Sequence, residues 1–161
     1  GMVVVVALAV AAWVYFDKSN KQQDLARSDR SIETGVTLFK AKKYSEAIEI
    51  FERIPSGAPR QWYALYFQGS AYLMLKDYQA ATTSLEQALT LNPTNTKVMH
   101  ALGVAYFKLG NLKLSKAYFA SVLEIDPDDA EAKGLMDIMA SLEKNQPGTI
   151  QEQPEEDSRQ Q

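Results

Sequence analysis

Glycine recurs at Gly35, Gly69 and Gly103, and proline at Pro59, Pro93 and Pro127, each series with a spacing of 34 residues. A period of that length marks tandem two-helix units, each too small to bury its own apolar face, so the chain must fold by stacking neighbours. Such a stack offers a curved surface rather than a catalytic cavity, which directs the functional reading towards binding.

Each unit reads as helix A, a tight turn and helix B. The expected pairs are 29–41 with 45–54, 60–75 with 78–91, and 95–109 with 112–125. Leu91-Asn92-Pro93 and Ile125-Asp126-Pro127 are natural stops, since proline disfavours helical geometry in the residue before it. The three glycines are placed where helix A approaches helix B, facing the small residues Ala47, Ala81 and Ser115. Leu38, Tyr72 and Tyr106 fall one turn later on the same face. Phe51, Leu85 and Phe119 are expected between neighbouring units, and Tyr44, Tyr78 and Leu112 at the A-to-B turns. After Pro127, the Asp128-Asp129 pair suits a helix start, and Ala130, Leu135, Ile138, Met139 and Leu142 have helical spacing. This is the pattern of a terminal capping helix over 128–144.

With Gly-x-x-Tyr at 69–72 and 103–106, Ala81, Ala88 and the helix-ending prolines, the chain resembles the tetratricopeptide repeat family. The resemblance runs from Ser28 to about Asn145. It implies an all-α fold: three tandem helix-turn-helix units in a right-handed superhelical solenoid with a C-terminal capping helix, preceded by an apolar N-terminal helix. The repeat domain is expected over 29–144, with units near 28–61, 62–95 and 96–129. Some family positions differ. Ser31, Leu65 and Met99 stand where the family has Trp, and Thr34 and Gln68 where it has Leu before the glycine. Helix A of unit one is therefore expected to be the least stable.

The N-terminal end is of a different kind. Met2 to Phe16 is fifteen apolar and aromatic residues, about 22 Å as a helix against roughly 30 Å of bilayer core. The aromatic end at Trp13, Tyr15 and Phe16 suits a membrane interface. Residues 1–16 are read as a single-pass membrane anchor, complete or truncated. A signal peptide is the alternative, with Ala-Leu-Ala at 7–9 and Ala-Val-Ala at 9–11 resembling cleavage sites. A buried helix is disfavoured, because no residue marks a polar face. Residues 17–28 read as a polar stalk. Lys18, Lys21, Arg27 and Arg30 would hold the domain in the cytoplasm were Met2 the true start. With an upstream flank removed, the exported, periplasmic side is favoured.

Charge excludes one partner class. Residues 145–161 hold four acidic side chains against Arg159, which accounts for the whole net charge of −3 and leaves the rest of the chain neutral. A nucleic-acid binder needs a basic excess. That final segment, with Pro147, Gly148, Pro154 and five glutamines, reads as a disordered acidic tail. With no cysteine and one histidine, His100, no disulfide, thiolate metal site or histidine cluster is available. Glu46 with Glu49 and Asp128 with Asp129 read as solvated charges. There is no phosphate loop, nucleophile elbow or zinc spacing. No enzyme activity, catalytic residue, metal or cofactor is expected.

In the family, helix A lines the concave side. Offsets from each glycine then assign groove positions. Ile32, Val36 and Phe39 come from unit one, Tyr63, Tyr66, Phe67 and Met74 from unit two, and Lys97, His100, Val104 and Phe107 from unit three. Related proteins bind chaperone tails with a carboxylate clamp of Lys, Asn, Asn, Lys and Arg. The resemblance maps it onto Ile32, Val36, Phe67, Lys97 and Ala101, of which only Lys97 has matching chemistry. An apolar, aromatic groove is left, suited to an apolar peptide or partner helix, although Phe39 and Phe107 also suit packing between A helices. The expected function is a membrane-tethered, non-catalytic adaptor that binds a protein or peptide in this groove. The alternative is a self-associating structural subunit of a membrane-bound secretion, pilus or envelope-assembly complex. The N-terminal stalk or a second copy is a further candidate to fill the groove.

Overall fold

The computed structural model describes residues 2–144, which form seven α-helices and no strand. In order these are α1 (Met2–Lys40), α2 (Tyr44–Glu52), α3 (Gln61–Met74), α4 (Tyr78–Leu91), α5 (Thr96–Lys108), α6 (Leu112–Ile125) and α7 (Ala130–Lys144). The end of α1 pairs with α2, α3 with α4, and α5 with α6, while α7 packs on α6. The tail expected over 145–161 lies outside the described residues.

The A-to-B turn is one motif used three times. Lys42, Lys76 and Gly110 adopt φ of 62°, 64° and 78°, the left-handed conformation that ends many helices. The next residue's N–H reaches back to the A helix each time: Lys43 to Leu38 O, Asp77 to Tyr72 O and Asn111 to Tyr106 O, all at 2.9 Å. Helix B then starts on a side-chain cap in two units. Asp77 Oδ1 accepts from the Ala80 N–H at 3.1 Å, and Asn111 Oδ1 from the Leu114 N–H at 3.1 Å. Lys43 has no such group, and α2 starts without a side-chain cap. It also stops at Glu52, short of the expected Ile54, because Pro55 restricts the residue before it.

The A and B helices of each unit meet at the glycines. A methyl at Gly35 would lie 2.5 Å from Phe51 Cε1, at Gly69 2.5 Å from Leu85 Cγ, and at Gly103 2.7 Å from Phe119 Cζ. The bulky B-helix residue, expected between units, thus also presses on the glycine of its own unit. Ala47 and Ala81 face this contact buried. Ser115 replaces them in unit three, and its buried hydroxyl donates to Gly103 O at 2.7 Å, so the added polar atom is satisfied.

Between units the apolar layers run together. Phe51 joins Ala64, Leu85 and Ala88 join Val98 and Leu102, and Phe119 and Val122 join Ala132 and Met139 of α7. Tyr72 Oη donates to Glu52 Oε1 at 3.2 Å, and Tyr106 Oη to Glu86 Oε1, one bridge for each A helix and the B helix before it. Helix α1 packs on α3 and α3 on α5, a closeness successive B helices do not share. The A helices therefore form the inner, concave wall.

The membrane anchor is not supported. Residues 2–40 are one unbroken helix rather than anchor, stalk and helix A in series. Its apolar part ends at Phe16, and Asp17, Lys18 and Lys21 follow. Among the described residues no helix is long and apolar enough to cross a membrane. The expected single-pass, exported-side location falls with the anchor.

Candidate functional site

Helix α3 has two faces. Ala64, Gly69 and Ala71 are buried in the stack, while Trp62, Tyr63, Tyr66 and Phe67 are half-buried. Positions one and four apart along the helix bring these four rings onto one broad stripe. Phe67 is the hub. Its ring meets Tyr63 at 4.9 Å, Phe39 at 5.1 Å and Tyr66 at 5.2 Å, all edge-on, and Trp62 stands edge-on to Tyr63 at 5.4 Å. Edge-to-face pairs of this kind hold rings in one orientation and add about 1 kcal/mol each. The stripe is thus a rigid surface.

Across from it, Asn95, Thr96 and Lys97 begin α5, and together the two helices bound a cleft of about 340 Å³. Asn95 is committed to capping, its Oδ1 accepting from the Val98 N–H at 3.2 Å. Lys97 is exposed. Burial raises the Tyr66 hydroxyl above its usual pKa of 10.0, so it stays a neutral donor at physiological pH. Arg60, at the entrance to α3, lies 5.0 Å over the Tyr63 ring and is paired with Glu33 at 2.8 Å and Asp29 at 3.9 Å. The cleft is apolar on one side and carries one cation on the other.

Of the residues assigned to the groove, the cleft unites Tyr63, Tyr66, Phe67 and Lys97. Ile32 and Val36 require correction: they are 0% and 4% exposed, packed among Ala47, Phe51 and Ala64. These two side chains point into the layer between α1, α2 and α3 rather than onto the concave surface, so they are not open to a ligand. Phe39 supports Phe67 from behind and contacts Tyr44 edge-on at 5.4 Å. Met74 is exposed at the far end of α3. Val104 and Phe107 are half-buried and pack against the cluster of Phe119, Val122, Ala132 and Met139 that joins α6 to α7. His100 also faces α7. Its ring meets Phe119 at 5.2 Å, and Nε2, buried without a hydrogen bond, lies 3.5 Å from a Glu131 oxygen.

Trp62 escaped the offset rule by one position, although Trp-Tyr followed by Tyr-Phe one turn later was a legible aromatic stripe. A larger recess of about 480 Å³ runs along α1 between Gln23 and Thr34, but every lining residue belongs to that one helix. No group of three or more acidic, histidine or cysteine residues suited to a metal occurs among the described residues.

Comparison with known proteins agrees with the architecture. Two family models, both described as tetratricopeptide repeat, match residues 32–96 and 72–138. RNA polymerase II-associated protein 3 of Mus musculus is 32% identical over 120 residues, covering 72% of this chain and 18% of that protein. Heat shock protein STI1 of Saccharomyces cerevisiae is 30% identical over 111 residues, 68% of this chain and 19% of that one. The chain spans about a fifth of the length of these curated relatives. Among solved structures, the first TPR of Spaghetti (RPAP3), bound to the HSP90 peptide SRMEEVD, superposes with a TM-score of 0.69 at 28% identity, covering 73% of this chain and 93% of the other. MamA from Desulfovibrio magneticus shares the fold, with a TM-score of 0.67 at 20% identity over 73% of this chain and 66% of that one. With the two models together running from residue 32 to 138, across all three helix pairs and into α7, this chain belongs to the tetratricopeptide repeat family.

Proposed function

We propose that the protein is a non-catalytic interaction module whose α3–α5 cleft holds the apolar face of a partner protein's helix. The observation that carries this reading is the fixed stripe of Trp62, Tyr63, Tyr66 and Phe67 opposite the single exposed cation Lys97. Rigid aromatic rings provide contact area at little entropic cost, the composition favoured in recognition surfaces. A helix presenting apolar residues three and four apart matches such a stripe.

The relatives suggest a second reading, since their solved domains are described with chaperone peptides ending in EEVD. The family's clamp would use the positions of Ile32, Val36, Phe67, Lys97 and Ala101. Two of these are buried aliphatics, one is an aromatic hub and one an alanine. Arg60 is already neutralised by Glu33 and Asp29. A peptide with several carboxylates would therefore lose hydration and gain one partner, a net cost.

Fluorescence anisotropy with two labelled probes separates the readings. One is an amphipathic helical peptide with Leu and Phe at three- and four-residue spacing, the other the peptide SRMEEVD. The helical probe is expected to bind, and Tyr66→Ala to weaken it by about tenfold, the equivalent of roughly 1.4 kcal/mol. Tighter binding of SRMEEVD than of the helix would overturn the proposal.

A further inference from the structure

The first half of α1 is an apolar helix that nothing in the structure covers. Eight large apolar side chains between Val5 and Phe16 are each more than half exposed, with Trp13 at 68% and Tyr15 at 78%. Exposed apolar area on that scale marks an interface. Val6, Val10, Trp13 and Phe16 share one face of this helix, and at roughly 150–250 Å² for each aromatic residue that face supplies a large part of the roughly 800 Å² per partner of a standard interface.

We infer that this segment is the occupant of the α3–α5 cleft, supplied by a second copy of the chain. The inference rests on the groove reading above and names its partner. Helix continuity decides between the same copy and another. Helix α1 is unbroken from Met2 to Lys40, and residues 2–34 contain neither glycine nor proline at which it could turn back. Its last turns are held in the stack by Ile32 and Val36. The preceding 27 residues, 2–28, project away for about 40 Å, so the apolar segment cannot reach the cleft of its own copy. The chemistry matches on both sides. A 15-residue apolar helix, free of charge from Met2 to Phe16, meets a cleft walled by aromatic rings rather than by a carboxylate clamp. One copy's segment in the next copy's cleft is a heterologous contact, which leaves a free segment and a free cleft at the two ends. Association therefore proceeds in an open series or closes as a ring.

Sedimentation velocity on the full chain tests this. The wild type is expected to grow beyond a dimer as concentration rises. Two variants break opposite halves of the contact: Trp13→Glu with Phe16→Glu on the exposed segment, and Tyr63→Ala with Tyr66→Ala in the cleft. Each alone is expected to weaken association by at least about tenfold. Mixed, they are expected to form a 1:1 dimer that stops there, because only one intact segment and one intact cleft remain. Tyr66→Ala alone, which leaves the other three rings in place, serves as a second cleft variant if the tyrosine pair lowers helicity. The segment variant is expected to retain binding of the labelled amphipathic helical probe.

A wild type that stays monomeric at all concentrations overturns the inference. If the helical probe still binds, the groove reading survives that result; if it does not, both fail. Cleft variants that associate as well as the wild type overturn it too, because the segments would then be pairing with each other.

Discussion

At Gly69 the backbone of α3 lies so near α4 that a methyl group would sit 2.5 Å from Leu85 Cγ and 3.1 Å from Ala81 O. The carbonyl is backbone and cannot turn away. Gly69→Ala is expected to cost about 1–3 kcal/mol by overpacking, read from denaturant midpoints. Gly134 on α7 is the control, with no atom within 4 Å of the added methyl. Gly134→Ala should stabilise by about 0.5–1 kcal/mol through helix propensity. The turn residues make an opposite prediction. Lys76 holds φ at 64°, where Gly110 stands in the next unit. Left-handed geometry costs a residue with a side chain roughly 1–2 kcal/mol, so Lys76→Gly is expected to raise stability by about 1 kcal/mol in the same measurement. The period was legible in the sequence at this scale, and so was its purpose, because only close backbone approach or positive φ calls for glycine at a fixed place.

Elements are joined by the two tyrosine–glutamate bridges. Burial first, and then Glu52, raises the Tyr72 hydroxyl above its usual pKa of 10.0; burial and then Glu86 does the same for Tyr106, more strongly. Groups that ionise at higher pH when folded stabilise the fold fully below the unfolded value and lose that contribution as pH rises through the folded one. Stability is therefore expected to be insensitive to these groups up to about pH 10 and to fall above it. Tyr72→Phe and Tyr106→Phe should each cost about 0.5–1.5 kcal/mol at neutral pH and make the alkaline decline shallower, in chemical denaturation followed across pH. Both pairs recur at 34 residues, Glu52 with Glu86 and Tyr72 with Tyr106. Their contact could not be read from spacing alone, since it depends on how far one unit is rotated against the next.

Across the whole molecule stability is shared between neighbours. Helix α7 holds Met139 and Ala132 at 0% exposure against Phe119 and Val122. Met139→Ala removes that seal and is expected to cost about 2–5 kcal/mol. In a stack where each unit touches only those beside it, the loss should appear as local opening of α5 to α7 before α3 and α4, measurable by hydrogen exchange. The same arrangement redirected the groove assignments. Counting from each glycine treats all units alike, but Ile32 and Val36 are buried between α2 and α3, while Val104 and Phe107 pack on the α6–α7 cluster and His100 lies beside Glu131 of α7. Unit two, with an A helix on either side, keeps its aromatic stripe beside an open cleft.

Local spacing by itself determined that this chain is a helical repeat stack, where the helices turn and which residues bring them together, because helix period, glycine and proline act over a few residues. Which inner-face positions remain accessible, and whether the apolar start of α1 can reach the cleft of its own copy, were decided by tertiary structure. Burial depends on the neighbouring unit that happens to lie opposite, and reach depends on a helix staying straight past the point where the sequence changes from apolar to polar.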